Sequence, residues 1–173
     1  MQKARPEDSE SLTEMAQRAY RQHFSYLWTA EGLENYLTTA YQPDLFEKAI
    51  REDDNSMIWL AIQQEQLCGY LMYYRRKKLP GAEAEGGYIN RIYLLDHCGG
   101  QGIGSQLMKM AIQQGLEDDV PYLWLEVMQS NAASIAFYQK QGFSFRGETA
   151  FTQLPMRTVE LSRMWWMVKE LAV

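Results

Sequence analysis

Residues 98–116, CGGQGIGSQLMKMAIQQGL, decide how this chain is read. Gly99, Gly100, Gly102 and Gly104 crowd into the six positions 99–104, ahead of Leu107, Met108, Ala111 and Ile112, which share one helix face. Glycines with no side chain at the start of a helix leave the main chain open to a ligand. The free N–H groups and the positive end of the helix dipole converge there, so the arrangement predicts an anion site. It would let an acidic protein hold a phosphorylated ligand without a basic pocket.

Three phosphate-binding patterns can be set against this turn. A nucleoside triphosphate loop needs G-x-x-x-x-G-K-[ST]; Gly99 and Gly104 give the spacing, but Ser105 and Gln106 stand where lysine and a hydroxyl residue belong. A dinucleotide fingerprint fits at Gly100 and Gly102 and puts Ser105 in the third place, with Glu126 as the ribose-binding acid. Only about 70 residues follow the turn, too few for the rest of such a fold, so an oxidoreductase stays open on Glu126 alone. The third pattern is [Gln/Arg]-x-x-Gly-x-[Gly/Ala], read here as Gly99-Gly100-Gln101-Gly102-Ile103-Gly104.

The surroundings set the architecture. Pro6, Glu7 and Asp8 open a helix to about Phe24, Thr29 caps a second, and Pro43 opens a third. Residues 57–62 and 67–74 are short apolar runs around a turn at 63–66, a hairpin without the usual Asn-Gly signal. Arg75, Arg76, Lys77 and Lys78 read as its solvated end, with a phosphate contact as the alternative. Residues 88–95 form a strand into the glycine turn, and 122–127 form the next. Asn131 then caps a short helix that Gly142 ends, and strands follow from Phe143 and over 159–168, ahead of a frayed tail. This order predicts one α/β domain over residues 1–173 with a mixed sheet.

Composition narrows the function. The chain of 173 residues is 46% hydrophobic, so it can bury a core, and its net charge of −5 argues against nucleic acid or anionic membrane as partners. Cys68, Cys98, His23 and His97 show no zinc spacing, so no metal is expected; His97 and Cys98 beside the turn read as structural. The polar start and the lack of a long apolar run lead to a cytoplasmic expectation.

At the third pattern the sequence resembles the GNAT superfamily of N-acetyltransferases. Ile89-Asn90-Arg91-Ile92-Tyr93-Leu94 before the turn and Asn131-Ala-Ala-Ser-Ile-Ala-Phe-Tyr-Gln-Lys-Gln-Gly-Phe143 after it extend the likeness. The stretches AYRQHFSYLW and AYQPDLFEKAI look like the PaiA-type spermidine/spermine branch. The resemblance implies a mostly antiparallel sheet flanked by helices and splayed between the strands at 88–94 and 122–127. Acetyl-CoA would lie in that gap as cosubstrate, with its pyrophosphate on the amides of Gly99, Gly100, Gln101, Gly102, Ile103, Gly104 and Ser105. Ile92, Tyr93 and Leu94 would meet its pantetheine arm and thioester, and Asn131 would hydrogen-bond the arm while capping its helix.

Tyr138 matches the family's general acid toward the CoA sulfur. Phe137 and Tyr138 lie about 100° apart around a helix, so Phe137 is expected to pack and Tyr138 to face the cleft. Asn90 stands where relatives often carry glutamate, and an amide is no base; Glu126 on the facing strand, on the side of Trp124, is the alternative, acting through water. Gly99 also departs from the family's Gln or Arg. Tyr20, His23, Phe24, Tyr26, Trp28 and Tyr36, with Glu31 and Glu34, would surround a small-molecule amine, and a polyamine is expected from the branch. A catalytically weakened CoA-binding sensor on the same fold is the alternative. Met164, Trp165, Trp166 and Met167 could support a homodimer.

Overall fold

The structure is a computed structural model that describes residues 1–52 and 54–171. The strands are β1 (Gln2–Lys3), β2 (Ser56–Gln63), β3 (Gln66–Lys78), β4 (Glu85–Leu94), β5 (Tyr122–Met128), β6 (Ser144–Ala150) and β7 (Arg163–Glu170). The helices are α1 (Ser9–Phe24), α2 (Ala30–Ala40), α3 (Pro43–Arg51), α4 (Ile103–Glu117) and α5 (Ala132–Lys140). The strands form one seven-stranded sheet in the order β1-β2-β3-β4-β5-β7-β6. Every pairing is antiparallel except β4 with β5.

Local signals placed the helix ends. Thr29 accepts from the Gly32 amide at 3.1 Å and Asn131 from the Ser134 amide at 3.1 Å, each satisfying a donor that the first turn leaves free. The β2–β3 turn uses Gln64 and Glu65 at φ 49° and 64°, the twist that a two-residue hairpin needs even without Asn-Gly. Leu107, Met108 and Ala111 of α4 are fully buried on one face of the sheet, while α1 and α3 pack rings of Tyr20 and Phe46 on Tyr93 and Tyr70 from the other.

The β4–β5 junction positions everything that follows. The strands pair only at Gly87–Leu123, Tyr88–Trp124 and Ile89–Leu125. On the other edge of β4, Met72 pairs with Arg91 and Tyr73 with Ile89, so Asn90 is the extra residue of a bulge. The bulge lies where the parallel ladder stops, and from there the two strands diverge. The expected splay is present.

One expectation about the strands is corrected. The last strand begins at Arg163, not at 159, because residues 159–162 close a turn in which Ser162 N–H donates to the Val159 carbonyl at 3.1 Å. It continues to Glu170, and Leu171 is buried; the rest of the expected frayed tail lies outside the described residues. The basic run 75–78 closes β3 as expected: the strand ends at Lys78, residues 76–78 are exposed, and Lys77 and Lys78 pair with Gly86 and Glu85. Arg75 Nη1 reaches Asp118 Oδ1 at 3.1 Å, and Asp118 also accepts from Tyr73 Oη at 3.2 Å and Gln114 Nε2 at 2.9 Å. The Asp118 side chain is 6% exposed and the Arg75 side chain 39%, so Asp118→Ala leaves the buried Tyr73 hydroxyl without its acceptor while the guanidinium can turn to water. The expected loss is about 2 kcal/mol of unfolding free energy in a urea titration, with Asp118→Asn losing less.

Candidate active site

One cleft of about 1500 Å³ runs through the splay. At one end lies the glycine turn. Gly100 and Gly102 sit at φ 74° and 78°, a conformation that side chains resist, and nothing lies within 4 Å of where a Cβ would project. The first amide bonded back into α4 is Gln106 N–H to the Gly102 carbonyl at 3.0 Å. The amides of Ile103, Gly104 and Ser105 therefore stand at the open helix end. Gly99, Gly100, Gly102, Ile103, Gly104 and Ser105 all border the cleft. Gln101 does not: its amide donates to the His97 carbonyl at 3.0 Å and accepts from Gln63 at 2.8 Å, turning the side chain away. The donor set fits a diphosphate, since it is main chain, unhindered and aligned with a helix dipole.

The wall beside the turn is β4. Leu95 N–H donates to the Cys68 carbonyl at 2.8 Å, and in an antiparallel ladder alternate residues face the partner strand. Arg91 and Tyr93 thus bond toward β3, leaving the main-chain groups of Ile92 and Leu94 to face the gap that β5 vacates. His23 Nε2 meets the Leu94 carbonyl there at 2.7 Å. Ile92, Tyr93 and Leu94 line the cleft as expected.

Asn131 and Tyr138 line the opposite wall. The expected division between Phe137 and Tyr138 holds only in part. Both border the cleft, and Tyr138 is the more buried at 8% exposure, its ring 6.0 Å from that of Phe143. The reason is that α5 flanks an open wedge instead of a closed core, so two adjacent sides of the helix meet the cavity. Burial raises the Tyr138 phenol well above the ordinary tyrosine value, keeping it protonated through neutral and alkaline pH.

The far end is organised around Glu126, on the same strand face as Trp124. Tyr88 Oη donates to Glu126 Oε2 at 2.9 Å, and Trp166 Nε1 donates to Oε1 at 3.1 Å. Asn90 Nδ2 donates to Tyr88 Oη at 3.4 Å, so the residue in place of the family's glutamate joins the same network. The Lys77 ammonium lies 3.9 Å from the centre of the Tyr88 ring, and partial burial lowers its pKa. Sequence reasoning missed Tyr88, Trp166 and Lys77. The alternation of Tyr88 with Asn90 and of Trp124 with Glu126 was a usable signal, but pairing with Trp166 required the β5–β7 register.

The N-terminal helices close this end. Tyr20, His23, Phe24, Tyr26 and Tyr36 border the cleft, and Tyr26 Oη meets Ser130 Oγ at 2.8 Å across its mouth. Trp28, Glu31 and Glu34 are corrected: none borders the cleft. Trp28 is 1% exposed and donates to Tyr20 Oη at 3.1 Å, while Arg21 holds the exposed Glu34. The residues of the dimer expectation are engaged within the chain. Met167 is in the core, Trp166 holds Glu126, Trp165 packs on Phe145 and Met164 borders the cleft.

The geometry is that of an α/β protein whose parted sheet opens a cleft between a glycine turn at a helix N-terminus and a carboxylate network. A model of the Acetyltransferase (GNAT) family matches residues 10–143. The chain belongs to that family, a family of N-acetyltransferases, and it resembles the PaiA type. A probable spermine N(1)-acetyltransferase of Bacillus subtilis subsp. natto (strain BEST195) is 29% identical over 75 residues, 43% of this chain and 49% of that one. The match thus spans about half the length of that relative. The PaiA N-acetyltransferase of Thermoplasma acidophilum, solved in complex with coenzyme A, superposes with a TM-score of 0.79 at 18% identity, over 98% of this chain and 97% of that one. The ribosomal-protein-alanine N-acetyltransferase of Brucella melitensis superposes with a TM-score of 0.68 at 24% identity, over 98% of each. At these identities the structural likeness establishes the fold.

Proposed function

We propose that residues 1–173 act as one catalytic domain that moves the acetyl group of acetyl-CoA directly onto a primary amine. The observation that carries this reading is the single cleft that joins the glycine turn, through the parted strands, to the Glu126 network. Neither cysteine borders that cleft, so no thiol stands ready to hold the acetyl group on the way.

The amides of the turn and of α4 bind the diphosphate, and Asn131 orients the pantetheine arm. The acceptor arrives as an ammonium; with an amine pKa near 10.4, roughly one molecule in 10³ is neutral at pH 7. Glu126, fixed by Tyr88 and Trp166, takes the excess proton through water and passes it to solvent. The Ile92 amide, free of the β3 ladder, donates to the carbonyl oxygen as negative charge builds there. Nitrogen then bonds to the acetyl carbon as the carbon–sulfur bond breaks; Tyr138 gives its phenolic proton to the departing sulfur, and the second proton lost from nitrogen returns through water to restore the phenol.

The finer reading is a polyamine acceptor such as spermidine or spermine, supported by the spermine-acetyltransferase relative and by the aromatic walls around Glu126. Absence of a membrane-crossing helix among the described residues and the polar composition accord with a cytoplasmic enzyme on a small-molecule amine. The test is thiol release from acetyl-CoA over a panel of spermidine, spermine and simple primary amines. Thiol release with every amine except the polyamines removes the finer reading. Asn90 and Gly99 favour a second reading, a CoA-binding sensor; tight CoA binding without thiol release with any amine would establish it.

A further inference from the structure

Cys68 and the pair His97–Cys98 are far apart in sequence, and the fold brings them together. Cys68 lies on β3, and the Leu95 amide bonds to its carbonyl at 2.8 Å. The turn that follows is closed by Cys98 N–H to the Leu95 carbonyl at 2.9 Å, which carries residues 97 and 98 back over the strand. The two sulfurs and an imidazole nitrogen lie within 4.8 Å of one another. Cys68 is 2% exposed and Cys98 is 0% exposed, while His97 reaches solvent.

We propose that Cys68, His97 and Cys98 form a binding site for a thiophilic divalent cation of the zinc type, outside the acetyl-transfer cleft. A tetrahedral zinc with bonds of about 2.3 Å to sulfur and about 2.0 Å to nitrogen sets its ligand atoms roughly 3.5–3.8 Å apart. The three side chains therefore close by roughly 1 Å, within the reach of side-chain torsions. Binding is balanced by the loss of one proton from each thiol to solvent, the imidazole remaining neutral. Two thiolates then cancel the charge of a divalent ion, so the assembled centre is neutral where two of its ligands are buried. The fourth position falls to water, from the side where His97 is exposed, or to Gln63 Oε1, which lies 3.8 Å from Cys68 Sγ. Bound there, the ion ties β3 to the start of the glycine turn.

The experiment uses the full, reduced, metal-stripped chain titrated with Co(II) and then with Zn(II). One equivalent of Co(II) is expected to give sulfur-to-cobalt charge-transfer absorption and the visible bands of a tetrahedral site, both bleached by Zn(II). Zn(II) is also expected to raise the thermal midpoint by several degrees. Cys68→Ser and Cys98→Ser should abolish the charge-transfer band or reduce it by half or more. His97→Ala, a change at an exposed side chain, keeps the fold and should weaken Co(II) binding about tenfold or more. No charge-transfer band with Co(II) in excess, an unchanged band in both serine variants, or an isolated chain in which the two cysteines are joined as a disulfide that excludes metal would each overturn the site. No readout involves CoA or an amine, so failure here leaves the acetyl-transfer reading untouched, and the reverse.

Discussion

Tyr138→Phe is expected to lower kcat for acetyl transfer about 10²-fold while the KM for acetyl-CoA moves less than about threefold. The substitution removes one oxygen from a side chain that is 8% exposed and otherwise packs as a ring against Phe137 and Phe143. Volume is nearly conserved, so stability should change by less than about 1.5 kcal/mol, and a thermal melt separates a chemical loss from a folding loss. A 10²-fold loss is about 2.7 kcal/mol of barrier, the size of a missing proton donor to the sulfur. The sign of the pH effect follows from burial. Because the folded phenol is raised above its ordinary value, the donor stays protonated as pH climbs through the neutral and mildly alkaline range. Tyr138 therefore contributes no alkaline fall near pH 9, and the profiles of wild type and variant should stay parallel there. A kcat within threefold of wild type would remove Tyr138 as the acid.

The second large effect is on cosubstrate affinity. Gly102→Val should weaken CoA binding, measured by calorimetry, about 10²-fold or more. Gly102 is the residue before α4 and holds φ at 78°, where a β-branched side chain is strained by about 1–2 kcal/mol. Relief of that strain rotates the peptide and swings the following amides off the helix axis. Each hydrogen bond lost to a charged diphosphate adds about 1.5–3 kcal/mol. Gly99→Gln is the control. Gly99 sits at φ −66°, an ordinary conformation, and a Cβ there would meet the Asp96 carbonyl oxygen at 3.2 Å, so the family's glutamine enters with a small shift of that turn. It should leave affinity unchanged or improve it. Equal losses in the two variants would place the diphosphate elsewhere.

The parts of the fold that were legible in the chain were the local ones. Thr29, Asn131 and Gly142 mark helix boundaries by what a single residue does to the few amides around it, and each did so. The glycine turn was legible for the same reason: strand, glycines and helix are contiguous, so its geometry needs no distant partner. Tyr88, Trp166 and Lys77 were not legible around Glu126. Their meeting depends on the β5–β7 register and on the extra residue at Asn90, and both are settled by pairing between segments far apart in the chain. The partner of Arg75 was hidden for a related cause, since Asp118 lies beyond the end of α4. The aromatic residues of α1, α2 and the link between them showed how composition alone misleads. Tyr36 faces the cleft while Trp28 is buried behind it, its indole stacked on the Tyr36 ring at 4.9 Å.

The short β4–β5 ladder has a mechanical consequence. Three paired positions join a four-stranded leaf, β1 to β4, to a three-stranded leaf, β5 to β7. Beyond Ile89 and Leu125 the leaves are held apart like a partly opened book, with peptide groups along the margins that a continuous sheet would have satisfied. On the proposed reading, an extended molecule carrying its own amides would lie along that margin as the absent strand, so that loading the cosubstrate would also complete the sheet.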